Sequence, residues 1–109
     1  MKRKGISFMK REDEIKIMLH SCFSEFKKEL AGRKIVLFGS RVNGTARVSS
    51  DFDIGIVGDG PLPLKIFFRI EDRLDQLDTL YKLDWVDLNR ADESFRDEAL
   101  RNMEVIYAG

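Results

Sequence analysis

Several residue types that define particular protein classes are nearly absent from this chain. It has a single cysteine, Cys22, and a single histidine, His20. One cysteine cannot form an internal disulfide, and without a cluster of cysteines and histidines no zinc site is expected. We predict that Cys22 is a buried helix residue acting as a small hydrophobe, and that His20 lies on the surface of the same helix.

The chain also lacks an excess of charge of either sign. Lys plus Arg and Asp plus Glu each number 19, so the formal net charge is zero. An extended nucleic-acid interface needs a basic face, and none is expected here. No apolar stretch follows the basic residues Lys2, Arg3 and Lys4, and no run approaches membrane-spanning length. A cytoplasmic location without membrane contact is the default expectation.

The length of 109 residues predicts one domain covering residues 1–109. A chain of this size can build one core, but it keeps a high ratio of surface to volume. Small domains of this kind often gain stability from a partner. We therefore predict an apolar interface patch on the two long helices described next.

Hydrophobic periodicity predicts three helices. Apolar residues recur at helical spacing over residues 11–30 and 63–81. A last helix begins after Asp92 or Ser94, either of which is a suitable N-cap. The apolar residues assigned to this last helix are Phe95, Ala99, Leu100, Met103 and Ile106.

Three shorter segments are predicted to be strands. Residues 34–38 and 85–88 are compact apolar runs, and residues 51–57 alternate between polar and apolar positions. Residues 41–46 fit a short additional helix. The expected fold is therefore a small α/β (α+β) domain in which helices pack on a three-stranded mixed sheet.

Carboxylates mark two of the predicted strands. Asp51 and Asp53 are two positions apart, so both side chains point to the same face, where like charges repel each other. A divalent cation removes that repulsion, and carboxylate oxygens suit Mg²⁺. Asp87, on a neighbouring strand, can complete a three-carboxylate site able to hold two metal ions for phosphoryl transfer.

A second feature, Gly39-Ser40, lies where a strand turns into a predicted helix. Glycine allows close approach of the backbone to a phosphate, and amides at a helix start donate to anions. The Ser40 hydroxyl can donate as well, and Arg41 or Arg47 can add a cationic contact to a triphosphate. Together with the carboxylates, this pattern predicts a phosphate cradle facing a metal site.

The combined motif resembles that of the DNA polymerase beta-type nucleotidyltransferase superfamily. Gly39-Ser40 is followed after ten residues by Asp51-x-Asp53, and the flanking Gly44, Ala46 and Ser50 are similar to the minimal (MNT-type) branch. The resemblance extends over nearly the whole chain, including Val86-Asp87-Leu88. Val42-Asn43 departs from the branch, which has a small and then a basic residue there.

This resemblance implies a function and roles for the motif residues. It implies Asp51, Asp53 and Asp87 as the metal and catalytic triad, Asp87 also helping to deprotonate the acceptor hydroxyl. Gly39 and Ser40 would contact the triphosphate of ATP or another nucleoside triphosphate. By this resemblance the chain would be an antitoxin that pairs with a helical HEPN protein, the toxin. It would transfer AMP to a tyrosine of the HEPN protein.

Three functions stay open at this point. The first is a magnesium-dependent nucleotidyltransferase with a HEPN-type protein as acceptor, favoured because no second substrate-binding domain is expected. The second is a non-catalytic module that neutralises a HEPN partner by contact. The third is the catalytic subunit of a small-molecule nucleotidyltransferase similar to the aminoglycoside-modifying enzymes.

Overall fold

The computed structural model describes residues 11–39 and 51–109, which form three helices and four strands. The predicted short helix over residues 41–46 lies outside the described residues. In chain order the described elements are α1 (Arg11–Ser24), β1 (Lys34–Phe38), β2 (Phe52–Val57), α2 (Leu64–Asp75), β3 (Leu83–Asp87), α3 (Glu93–Arg101) and β4 (Glu104–Ala108).

The strands form one mixed sheet in the order β3-β2-β1-β4. The central strand β1 pairs antiparallel with both β2 and β4. Strand β3 runs parallel to β2, with Asp53 opposite Asp84 and Ile56 opposite Asp87. Since α2 connects β2 to β3, these elements form a β-α-β unit, the usual way of joining neighbouring parallel strands.

The face of the sheet covered by α1 and α2 carries the larger core. On α1 and the turns after it, the predicted apolar stripe is buried as expected: Ile15, Leu19, Cys22, Phe23, Phe26 and Leu30. On the same face, α2 contributes Ile70 and Leu74 to this core. The ring of Phe67, also on α2, stacks on Trp85 with centroids 5.3 Å apart. This closely packed face is the main source of hydrophobic stabilisation.

The opposite face, covered by α3, carries a smaller core of Val36, Phe38, Leu88 and Ala99. Gly55 allows close packing here, because a Cβ at this position would lie 2.6 Å from a methyl carbon of Leu88. The Asp92 side chain accepts a hydrogen bond from the Phe95 N–H at 2.8 Å, so the predicted Asp92 cap is confirmed.

The predicted fold class is confirmed, but the sheet has four strands where three were expected. The last predicted helix ends at Arg101, and Asn102 adopts extended backbone angles before β4. Met103 and Ile106 continue the helical spacing of Phe95 and Ala99 by coincidence, although Val105, Ile106 and Tyr107 are β-branched or aromatic and favour a strand. Pairing with β1 decides the outcome.

Helices α1 and α2 are shorter than predicted, because residues 25–30 form turns and α2 ends at Asp75. Cys22 is buried and His20 is exposed, as predicted. Within residues 11–39 and 51–109, no helix has the length and apolar character needed to cross a membrane.

Candidate functional site

The candidate site begins where β1 ends beside the start of β2. Phe38, the last residue of β1, pairs with Asp53 in the antiparallel register. The next residue, Gly39, has a φ of 83°, a left-handed conformation that glycine adopts without steric cost. A Cβ on Gly39 would collide with the Asp53 carboxylate. Gly39 therefore lets the chain turn directly against this carboxylate.

A second carboxylate faces Asp53 from the parallel strand. Asp84 on β3 is the register partner of Asp53, and side chains directly opposite in paired strands project from the same face. Phe38, Asp53 and Asp84 thus form a row across three strands on the α3 face of the sheet. The Asp84 carboxylate also lies 3.8 Å from the Lys82 ammonium.

The surroundings of Asp53 disfavour the negatively charged form of its carboxylate. Burial, followed by the nearby Asp84 and Asp51 carboxylates, raises the pKa of Asp53 above its usual value. Asp51 precedes β2 and is two residues from Asp53, which is consistent with the sequence-based expectation of adjacent carboxylates. The three side chains therefore concentrate negative charge where a cation would be stabilised.

The prediction that Asp87 lies with Asp53 is wrong. Asp87 is three residues beyond Asp84 on β3 and pairs with Ile56, so it projects from the opposite, α1/α2 face. It also lies about 10 Å further along the strand, at roughly 3.3 Å per residue. Strand alternation allows only one of these two aspartates to face Asp53, and the register selects Asp84.

Asp87 has a different environment, in which backbone N–H groups of the protein donate hydrogen bonds to its carboxylate. Its Oδ2 accepts a hydrogen bond from the buried Leu62 N–H at 2.7 Å, and its Oδ1 accepts one from the Asn89 N–H at 3.0 Å. The Arg90 guanidinium lies 3.7 Å away. Asp87 is only 5% exposed, so it ties the loop before α2 to the end of β3.

Sequence-based reasoning missed Asp84 because the third strand was predicted to begin at Trp85. The observed strand begins at Leu83. A usable signal was present, because Leu83, Trp85 and Asp87 alternate with Asp84, Val86 and Leu88. Once the buried Trp85 is assigned to one face, Asp84 must point to the other.

The remaining predicted contacts divide into two groups. Gly39 lies against Asp53, as the phosphate-cradle hypothesis requires. Ser40 and Arg41, predicted to contact the triphosphate, lie outside the described residues, as does Arg47.

The donor chemistry of the row suits Mg²⁺. Within residues 11–39 and 51–109, no three His, Cys, Asp or Glu side chains already stand together as a ready metal site. Asp51, Asp53 and Asp84 nevertheless supply hard oxygen ligands, and Mg²⁺ in phosphate-transferring sites binds through one or two carboxylates together with substrate phosphates. Burial, together with the nearby Asp84 and Asp51 carboxylates, raises the pKa of Asp53, which is consistent with a site that favours added positive charge.

A cavity of about 680 Å³ adjoins the row. Its walls include Gly39 and Asp53, Lys82 and the β3 residues 83–86, and Phe95 and Ala99 from α3. Ligand cavities are typically about 300–1,000 Å³, so this space is large enough for a nucleotide. Among the described residues β3 is the last strand on its side of the sheet, so the cavity lies along an edge strand of the described sheet.

A mixed sheet with a glycine turn beside paired carboxylates defines the class of the protein. Residues 21–109 match the family described as polymerase beta, nucleotidyltransferase. This match covers more than half of the chain. The chain therefore belongs to the polymerase beta nucleotidyltransferase family, as the motif resemblance predicted.

Individual relatives lie in the minimal branch of the family. The probable protein adenylyltransferase MntA of Haemophilus influenzae is 33% identical over 69 residues, which are 63% of this chain and 60% of that protein. This chain thus spans about 60% of the length of that curated relative.

Two solved structures share the fold. A toxin–antitoxin complex with AMP-PNP superposes with a TM-score of 0.59 at 22% identity, covering 83% of this chain and 73% of the other. The MNT antitoxin complex with the tri-AMPylated HEPN toxin of Shewanella oneidensis gives a TM-score of 0.59 at 18% identity, with coverages of 86% and 70%.

Proposed function

We propose that this chain transfers AMP from Mg²⁺-bound ATP to a hydroxyl of a protein acceptor, a tyrosine of a HEPN-type toxin. One observation carries the proposal: Asp53 lies between the glycine turn at Gly39 and the facing Asp84. This places a backbone able to approach phosphates next to carboxylates able to hold a metal. The similarity to a probable protein adenylyltransferase supports AMP as the transferred group.

In this proposal the carboxylates and the residues of the glycine turn have separate roles. Asp51, Asp53 and Asp84 hold Mg²⁺, while Gly39, Ser40 and Arg41 receive the triphosphate. When bound, the metal neutralises charge on the phosphates and orients them for in-line displacement. Asp84 replaces Asp87 as the carboxylate assigned to the incoming acceptor, because it lies on the edge strand of the described sheet and lines the cavity.

The reaction itself is a single displacement. The acceptor oxygen forms a bond to the α-phosphorus of ATP, and the bond from that phosphorus to the bridging oxygen breaks. Pyrophosphate leaves, and the hydroxyl proton passes to the Asp84 carboxylate.

The acceptor is proposed to be a partner protein because the structural relatives are toxin–antitoxin complexes. This chain also exposes apolar side chains on both helices predicted to carry an interface. Ile17 on α1 and Leu64 and Phe68 on α2 are each at least half exposed. Leu64 and Phe68 are four residues apart and therefore share one side of the helix. A cytoplasmic location remains part of the same proposal.

The direct test is transfer of label to the partner. The chain is incubated with radiolabelled ATP, Mg²⁺ and a co-expressed HEPN-type protein, using wild type, Asp53→Asn and Asp59→Asn. Asp59 is an exposed turn residue that does not line the cavity, so it is a matched control. Wild type and Asp59→Asn should label the partner, and Asp53→Asn should not, although all three bind it.

Other outcomes would change the assignment. If no variant labels the partner but all neutralise its toxicity, the chain is a binding module. If label appears on a small-molecule hydroxyl and never on protein, the chain is a catalytic subunit for small substrates. Equal labelling by wild type and Asp53→Asn would show that Asp53 holds no metal needed for transfer.

A further inference from the structure

An exposed aromatic side chain forms one wall of the cavity. Phe95, in the first turn of α3, is 45% exposed and lines the same cavity as Asp53 and Asp84. We propose that the Phe95 ring is the platform on which the nucleobase of the bound nucleotide stacks. This inference rests on the nucleotidyltransferase function proposed above and extends it to the base of the substrate.

The Phe95 ring is held in place by a neighbouring aromatic ring and by a hydrogen bond from its own backbone. Phe38 packs against Phe95 with centroids 5.9 Å apart and planes at 89°, an edge-to-face geometry favourable for aromatic pairs. Phe38 itself is only 6% exposed. The hydrogen bond from the Phe95 N–H to the Asp92 side chain fixes the start of α3. Phe95 therefore offers a supported ring surface to the cavity.

The position of Phe95 relative to the row fits the layout of a nucleotide. Across the strands the row runs from Phe38 through Asp53 to Asp84, and Phe95 lies on its Phe38 end. Phe38 directly precedes Gly39, which touches Asp53. Phe38 therefore connects Phe95, through its ring contact, with the adjacent glycine turn that is assigned to the phosphates. The base end and the acceptor end of the cavity then lie on opposite sides of Asp53.

Chemistry explains why a phenylalanine here would bind a base. An aromatic ring stacks on nucleobases through their faces, and every base has such a face. Stacking therefore adds affinity for the nucleoside without selecting one base. The other cavity residues near α3 are Glu98, Ala99 and Asn102, so Phe95 is the largest apolar side chain that this part of the chain contributes to the cavity.

The test separates binding of the base from binding of the phosphates. Calorimetry in Mg²⁺ measures the affinities of ATP, GTP and inorganic tripolyphosphate for wild type, Phe95→Leu and Phe95→Trp. Phe95→Leu keeps an apolar side chain and removes the ring, so ATP and GTP affinities should each fall by roughly 5- to 150-fold. Tripolyphosphate affinity should stay within about twofold, and Phe95→Trp should bind both nucleotides at least as tightly as wild type.

Val105→Ala is the matched control, because Val105 is similarly exposed, at 43%, but lies on β4 and does not line the cavity. It should leave all three affinities unchanged. The proposal is overturned if Phe95→Leu binds ATP as wild type does, or if it loses tripolyphosphate and ATP equally. Loss of partner binding with ATP affinity intact would make Phe95 an interface residue instead. If wild type binds neither ATP nor tripolyphosphate, the proposed function fails together with this inference.

Discussion

Asp84 and Asp87 are three residues apart on one strand, yet they belong to different parts of the molecule. Asp87 lies on the α1/α2 face, where two backbone N–H groups donate to its carboxylate. Asp84 lies on the α3 face, opposite Asp53 and beside an open cavity. The first carboxylate is satisfied by the fold, and the second faces another negative group.

The same contrast holds for the two faces as a whole. Fifteen of the described residues form the core on the α1/α2 side, whereas four form the core on the α3 side. The smaller core leaves the row of Phe38, Asp53 and Asp84 at the border of the cavity. Packing that would stabilise this face is replaced by space and charge, a pattern expected where a protein binds a charged ligand.

The largest effect expected from this contrast is on catalysis. Asp84→Asn should reduce AMP transfer by about 10²–10³-fold, the range measured when one electrostatic stabiliser is removed. Asp87→Asn makes the same chemical change on the other face. This variant should still transfer AMP when the assay temperature is well below its melting temperature. Initial rates of partner labelling, at saturating ATP and Mg²⁺, measure both variants.

This pair of variants also tests the register. If Asp87→Asn abolishes transfer while Asp84→Asn is fully active, the assignment of the third carboxylate to Asp84 is wrong. Circular dichroism at the assay temperature must show both variants folded, since an unfolded variant would lose activity for an unrelated reason.

The next largest effect is on the free energy of unfolding, where a change at Asp87 should matter more than a change at Asp84. Asp87→Ala leaves the buried Leu62 N–H without its acceptor, and an unsatisfied buried donor costs about 1–3 kcal/mol. Asp84→Ala removes a charge that repels Asp53, so its free energy of unfolding should change by less than about 1 kcal/mol. Urea denaturation in EDTA compares the two, and equal losses would show that Asp87 is not a structural anchor.

The larger core was predictable from the sequence because its signals are local and repeated. The apolar positions from Ile15 to Leu30 recur every three or four residues, and β1 is a continuous apolar run with turn residues after it. Burial of these residues follows from the pattern alone. The family was also predictable, since Gly39-Ser40 and Asp51-x-Asp53 are close in sequence.

What could not be predicted depends on pairing between distant segments. The fourth strand requires β1 to accept β4 as a second partner, which no local pattern reports. The exchange of Asp87 for Asp84 depends on a register between β2 and β3, and a shift of one residue reverses every side chain. The ring contact between Phe95 on α3 and Phe38 at the end of β1 likewise appears only in three dimensions.

The smallest effect concerns how well the α1/α2 face excludes water. Burial raises the pKa of the Cys22 thiol to about 11, with opposing and reinforcing smaller contributions from Arg73 and Glu25. The unfolded chain loses this proton near pH 9 and the folded chain near pH 11. Between these values the unfolded state gains the ionised form first, so stability falls as pH rises, by on the order of 1 kcal/mol at pH 10.

Cys22→Ala removes this titration while keeping a small apolar side chain in the core. Its free energy of unfolding should be lower than that of wild type at pH 7.5, because a buried sulfur atom is lost. The difference should narrow between pH 9 and pH 10.5, since only wild type has a thiol to ionise. Urea denaturation of both proteins across this range measures the difference. A gap that stays constant with pH would mean that the Cys22 thiol ionises as readily in the folded chain as in the unfolded one, and that the α1/α2 face is open to water.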